Sequence, residues 1–186
     1  RKISLKRVFI VNNPARQISG LLLPTWVDLV LFKFTWVGLV IFQSKAVFPV
    51  VALIALKILT WPGIIRALPI VVLTFVSGLA MDSLLMVSGV FVFPSAYLPL
   101  WLILLWLSFS LTLPRGFSFI TRWHPLAQSA IGIVAGCLGY FTGYLMGAVS
   151  YGLSIPLTML LIGVLWAGFV PLIIQCGEWI LKKIKI

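Results

Sequence analysis

An aspartate stands in the middle of the apolar run GLAMDSLL, residues 78–85, in a chain with only three acidic residues. A carboxyl group inside hydrocarbon is expensive and is kept where it meets a partner, a proton, a cation or water. Asp82 is therefore the first candidate for chemistry, with Ser83 beside it. Lys33 and Lys57 also lie within apolar runs and are its candidate partners, because a lysine stem reaches across several ångströms of apolar surface. An Asp–Lys pair would fix helix register, whereas a free Asp82 would serve as a proton or cation site. Tyr140 and Tyr144 stand one turn apart in a later run, with Thr142 between them. Buried tyrosine hydroxyls need hydrogen-bond partners, so this stretch is a candidate wall of a polar-lined cavity. Asp82, Ser83, Lys33, Lys57, Tyr140 and Tyr144 form the set of ligand- or ion-site candidates.

Other chemistry finds less support. His124 is the only histidine, and a hydrolytic triad through it would need Asp82, most of a membrane thickness away. The chain carries no GxSxG, HExxH or phosphate-cradling glycine loop. Cys137 and Cys176 lie in apolar runs without metal-ligand or CxxC spacing and read as small buried hydrophobes. No catalytic residue, metal or cofactor is expected.

The elements that hold these residues follow from composition. The 186 residues are 62% hydrophobic and 9% charged, with a mean hydropathy of +1.19. A soluble domain carries about 25% charged residues, and several runs here exceed the roughly 20 residues that cross a bilayer core. The sequence predicts an all-α polytopic membrane protein with six transmembrane helices in one bundle, over about 25–43, 46–65, 67–93, 96–113, 126–150 and 154–181. Proline and glycine punctuate the gaps, and QSKA (43–46) between the first two segments predicts a tight hairpin. No repeat of fixed period is visible.

The net charge of +11 does not indicate nucleic acid, because the cations sit at segment ends. Arg1, Lys2, Lys6, Arg7, Arg16, Arg66, Arg115, Arg122, Lys182, Lys183 and Lys185 fall on one side of the predicted bundle and Lys45 on the other. That bias predicts cytoplasmic N and C termini. Residues 1–24 read as a basic cytoplasmic or interfacial extension, too short in its apolar part for a signal peptide. Residues 25–181 form the transmembrane domain and 182–186 a basic tail, with Glu178 placed to pair with Lys182. Trp26, Trp61, Trp101, Trp123 and Trp179 fall near predicted segment ends, as an interfacial belt would.

The fifth segment is rich in glycine. Gly132, Gly136, Gly139, Gly143 and Gly147 recur every three or four residues, which lines them on one helix face. Such a face lets a neighbouring backbone approach closely, or leaves a groove for a ligand or a partner helix.

Three stretches carry a family resemblance: WVDLVLFKFTWVGLVIF (26–42), GLAMDSLLMVSGVF (78–91), and PLWLILLWLSFSLTL (99–113) followed by GIVAGCLGYFTGYLMGAVSY (132–151). Together they resemble DUF2878, a family of small bacterial inner-membrane proteins. The resemblance singles out Gly78, Asp82, Ser83, Pro99, Trp101, Trp106, Gly136, Tyr140, Gly143 and Gly147. The chain departs from the family pattern at PRGF (114–117), where an Asn-His-Ser-like stretch is expected, and at Cys137-Leu138-Gly139, where a Gly-Pro is expected. In layout the chain is similar to the rod-shape protein MreD and to the substrate-binding subunits of ECF vitamin transporters. The resemblance implies a bacterial inner-membrane location and names no activity.

The expected function is that of a non-enzymatic integral membrane protein. It would bind a partner membrane protein or a lipid-like small molecule near Asp82, Tyr140 and Tyr144. A stand-alone small-solute transporter with Asp82 as proton or cation site is the alternative, and a lipid-modifying enzyme is a third.

Overall fold

A computed structural model describes residues 25–61 and 64–183. The basic extension 1–24, the last three residues and the Lys182 side chain expected to pair with Glu178 lie outside the described residues. The described residues form six α-helices: α1 (Thr25–Phe42), α2 (Val47–Leu59), α3 (Ile64–Val87), α4 (Leu100–Gly116), α5 (Pro125–Leu145) and α6 (Ile155–Lys183). Four helical runs, Trp26–Leu59, Ile64–Val87, Pro125–Leu145 and Ile155–Ile180, are long and apolar enough to cross a membrane, and Leu100–Gly116 is a shorter apolar helix. These runs mark the chain as a membrane protein.

The run 26–59 is not straight. A 3₁₀ turn over Gln43–Ala46 reverses it, with Gln43 at φ +46°, and Lys57 near the end of α2 returns to within 3.4 Å of Asp28 in the first turns of α1. The hairpin expected at QSKA is present. Its second arm ends at Leu59, short of the expected residue 65, which puts Lys57 at the helix end.

The chain is not purely helical. Strands β1 (Phe91–Val92) and β2 (Ser150–Tyr151) pair antiparallel, Phe91 opposite Tyr151 and Val92 opposite Ser150. Phe91, Val92 and Ser150 fall in stretches expected to be helical, and Tyr151 in the gap that follows. A left-handed glycine precedes each strand, Gly89 at φ +76° and Gly147 at φ +69°. Such a glycine ends a helix at low steric cost.

α4 is the central helix, packed by α1, α2 and α3, while α5 and α6 form the most extensive helix pair and reach the rest mainly through α3. Ser108, Ser110 and Thr112 are buried on α4, and Ser110 and Thr112 donate to the helix's own carbonyls at 2.9 and 2.7 Å. Apolar surroundings therefore leave neither hydroxyl orphaned. Of the tryptophans expected in a belt, Trp61 and Trp101 are buried, whereas Trp26, Trp123 and Trp179 are exposed.

A repeat that the residue pattern hides emerges in three dimensions. Asp82 and Tyr140 are 58 residues apart, and the same offset relates Gly78 to Gly136 and Gly89 to Gly147. Trp106 and Phe109 on α4 correspond to Trp166 and Phe169 on α6. The unit α3–β1–α4 is thus repeated as α5–β2–α6, and the two units meet at the ribbon and at the stacked Trp106 and Trp166 rings, 5.9 Å apart.

Candidate functional site

Asp82 is completely buried. Its Oδ2 accepts the indole N–H of Trp106 at 2.6 Å, and its Oδ1 accepts the phenol of Tyr140 at 2.5 Å. The G-x-x-x-D spacing explains how the indole arrives. Gly78 lies one turn before Asp82 on the same face of α3, and a Cβ there would overlap the Trp106 ring. Glycine opens the slot, and the aspartate one turn later receives the N–H. α5 repeats the arrangement: a Cβ on Gly136 would overlap the Trp166 ring, and Tyr140 follows one turn later. The Trp166 N–H is buried without a well-formed hydrogen bond, but it is close enough to act electrostatically on the Tyr140 phenol.

Neither lysine reaches Asp82. Lys57 belongs to a second polar cluster, at the opposite end of α3. There Asp28, 1% exposed, lies 3.4 Å from Lys57 Nζ and 3.1 Å from Arg115 Nε, while Lys57 donates to Thr112 Oγ1 at 2.8 Å. Arg115 also lies over the Trp61 ring at 5.6 Å. Lys57 is thus far from Asp82: α2 ends two residues after Lys57, whereas Asp82 lies 18 residues into α3, roughly 27 Å along the axis.

Lys33 is exposed and lies over the Trp36 ring at 5.6 Å. It faces the main cleft of the molecule, about 520 Å³, which runs between α1, α4 and α5. Phe32, Lys33, Trp36 and Val40 line it from α1, Trp106 and Phe109 from α4, and Ala135, Gly136, Gly139 and Gly143 from α5. Tyr140 contributes to the same lining, so the Asp82 cluster closes the inner side of this cleft. Tyr144 and Ser83 are not part of it. Tyr144 stacks on Tyr151 at 4.6 Å, and Ser83 is half-buried on α3. Tyr151 donates to the Tyr140 carbonyl at 2.8 Å, and burial holds its phenol above the usual tyrosine range. His124 caps α5 by accepting the Leu126 N–H at 3.3 Å.

The glycine face of α5 divides into three jobs. Gly132 and Gly136 allow close approach of α6, since a Cβ on Gly132 would overlap the Trp166 carbonyl and one on Gly136 its ring. Gly139 borders open space and lines the cleft. Gly147 turns the chain with a positive φ, and a Cβ there would meet nothing within 4 Å.

The family described as "Protein of unknown function (DUF2878)" matches residues 25–172, which include the hairpin, the first repeat unit, the second up to residue 172 of α6, and every residue of the two polar clusters. The chain belongs to the DUF2878 family. No curated protein and no solved structure matches, so the similarity to MreD and to ECF subunits stays one of layout. Within this DUF2878 chain, the residues that the sequence reading missed are Trp106 as the partner of Asp82, Trp166 as its counterpart, and Arg115 with Thr112 around Asp28. One signal was available: a tryptophan in mid-helix carries an N–H that needs an acceptor once buried. Backbone carbonyls and hydroxyls accept such an N–H as well, so the sequence alone does not single out Asp82 as the acceptor for Trp106.

Proposed function

We propose that this DUF2878 protein is a non-enzymatic, multi-pass membrane protein that holds the apolar part of a lipid-like molecule in the cleft between α1, α4 and α5. The cleft itself carries the reading. Its volume of about 520 Å³ falls in the roughly 300–1,000 Å³ of small-molecule sites. The lined stretch of α5, Ile131 to Gly143, is roughly 18 Å long at 1.5 Å per residue. The aromatic and glycine lining offers an apolar groove with few hydrogen-bonding groups to satisfy.

The transporter alternative draws less support. Both Asp82 oxygens are engaged and the residue is buried, an arrangement suited to a fastener between α3, α4 and α5 rather than to an open ion site. We further place the protein in the bacterial inner membrane with six crossings. The ends bearing Arg66, Arg115, Arg122 and Lys183 would be cytoplasmic, in line with the positive-inside bias.

Gly139 tests the reading because it lines the cleft and a Cβ there meets nothing within 4 Å. Native mass spectrometry of the full chain, purified in a mild detergent, should find one retained chain-bearing molecule per protein. Gly139→Phe should lose it while keeping the thermal midpoint. Equal retention by the wild type and Gly139→Phe would dispose of the cleft as the binding site.

A further inference from the structure

The cleft contains one charged residue, Lys33. The whole chain has only three acidic residues to offer it. Asp28 is held by Lys57 and Arg115, and Asp82 by Trp106 and Tyr140. Glu178 lies in the last turns of α6, beyond Val170, where the cleft lining on that helix ends. Lys33 thus faces an apolar groove with a tryptophan ring beside it and no carboxylate paired to it among the described residues. A lysine in a membrane helix marks a ligand pathway or a counter-charge by default.

Lys33 stands near the middle of α1, roughly 12 Å from its start, with its ammonium over the Trp36 ring at 5.6 Å. From Lys33 the cleft runs past Trp106 to Phe93 and Val149 at the ribbon end, and the other way to Leu113, Phe117 and Ile120. One unpaired charge in an otherwise apolar groove is the complement of an anionic amphiphile.

The internal repeat adds a second argument. At the positions of α3 that correspond to Gly139 and Gly143 of α5 stand Met81 and Leu85, both buried side chains. The seam between α3 and α6 is closed by Ile70 and Ile174, and a Cβ on Gly177 would lie 3.3 Å from the Ile70 side chain. Where one repeat unit places side chains, the other places two glycines and an opening. The cleft is therefore a feature of sequence at specific positions, not a gap common to both units.

We infer that the occupant is an anionic phospholipid, its phosphate held by Lys33 and one acyl chain lying along the glycine wall of α5. This rests on the proposed lipid-binding reading and adds the headgroup charge and the orientation.

The test compares phosphatidylglycerol with phosphatidylcholine of the same chains, titrated against the full-length protein by native mass spectrometry. Wild type should prefer phosphatidylglycerol about fivefold, because both lipids carry the phosphate but only phosphatidylcholine offsets it with a cation that Lys33 repels. Lys33→Gln should bind both lipids equally, and Lys33→Arg should keep the preference. If Lys33→Gln does not fold, the preference of the wild type should still shrink between low and high salt. Equal binding of the two lipids by the wild type, or a preference unchanged in Lys33→Gln, overturns the inference while leaving lipid binding in place. Binding of both lipids that survives Gly139→Phe means the cleft is not occupied, and the underlying reading falls with it.

Discussion

Tyr140 on α5 donates its phenolic proton to Asp82 on α3 across a 2.5 Å hydrogen bond, and this bond joins the two repeat units at their centre. Because Trp106 fills the other carboxyl oxygen, Asp82 binds one donor from each unit. Removing the carboxyl strands both donors, and each buried orphan costs about 1–3 kcal/mol. Asparagine is the gentler change. Its oxygen can accept from Trp106, which can only donate, while its amide donates to a Tyr140 hydroxyl turned to accept. Asp82→Leu should therefore lower the unfolding midpoint in mild detergent more than Asp82→Asn does. Tyr140→Phe should cost about 1–3 kcal/mol. A stability of Asp82→Leu equal to wild type would show that the bond fastens nothing.

The sign of a glycine substitution should depend on what its Cβ meets. Alanine is favoured over glycine in a helix by roughly 1 kcal/mol. At Gly38 of α1 nothing lies within 4 Å, so Gly38→Ala should be neutral or stabilising. At Gly78 the new methyl would occupy the Trp106 ring position, and the indole could not reach Asp82. Gly78→Ala should lower the midpoint and change the Trp106 fluorescence environment, despite the better helix propensity. Equal effects at the two glycines would sink the slot explanation.

How far the sequence was readable follows from which forces act locally. Hydropathy and helix breakers are local, so the six segments, the QSKA hairpin and the candidacy of Asp82 could be read directly. The partners of Asp82 could not, because they depend on which helix faces meet: Trp106 and Tyr140 come from two other helices, and Lys57 is held by Asp28. The repeat escaped notice because only a few positions per unit are shared, Gly78 with Gly136 and Trp106 with Trp166 among them. Apolar residues elsewhere interchange freely where packing asks only for volume. The ribbon was lost to its own composition, since FV and SY are too short to show a period of two.

The Asp28 cluster should behave as one unit. Asp28 is the shared acceptor of two cations, and removing one member of a buried ion pair costs about 3–5 kcal/mol because the remaining charge is uncompensated. Asp28→Asn should therefore be more destabilising than Lys57→Met, which leaves Asp28 with Arg115 and only frees the Thr112 hydroxyl of a donor. In a double-mutant cycle, Asp28→Asn with Lys57→Met should cost less than the sum of the single changes. Strict additivity, measured by chemical unfolding, would mean that the two side chains do not interact in the folded protein.

The α1–α2 hairpin decides how many times the chain crosses. Taken as one straight run, residues 26–59 would leave Ser44 near the middle of the bilayer. Folded back, the same run carries Ser44 to a turn whose Gln43 side chain donates to the Gly147 carbonyl at 3.5 Å, level with the end of α5. Lys45 beside it is a charge that water would hold more cheaply than hydrocarbon. α2 is only 13 residues, roughly 20 Å against a hydrocarbon core of about 30 Å, so α2 ends short of a full crossing and buries Lys57 with Asp28. In a chain whose cysteines are replaced by alanine, Ser44→Cys and Ser95→Cys should both react with a membrane-impermeant maleimide from the periplasmic side. Arg122→Cys should react only after the membrane is opened. A Ser44→Cys that stays unreactive from both sides, with Ser95→Cys and Arg122→Cys labelled as expected, would make the hairpin re-entrant and reduce the crossings to four.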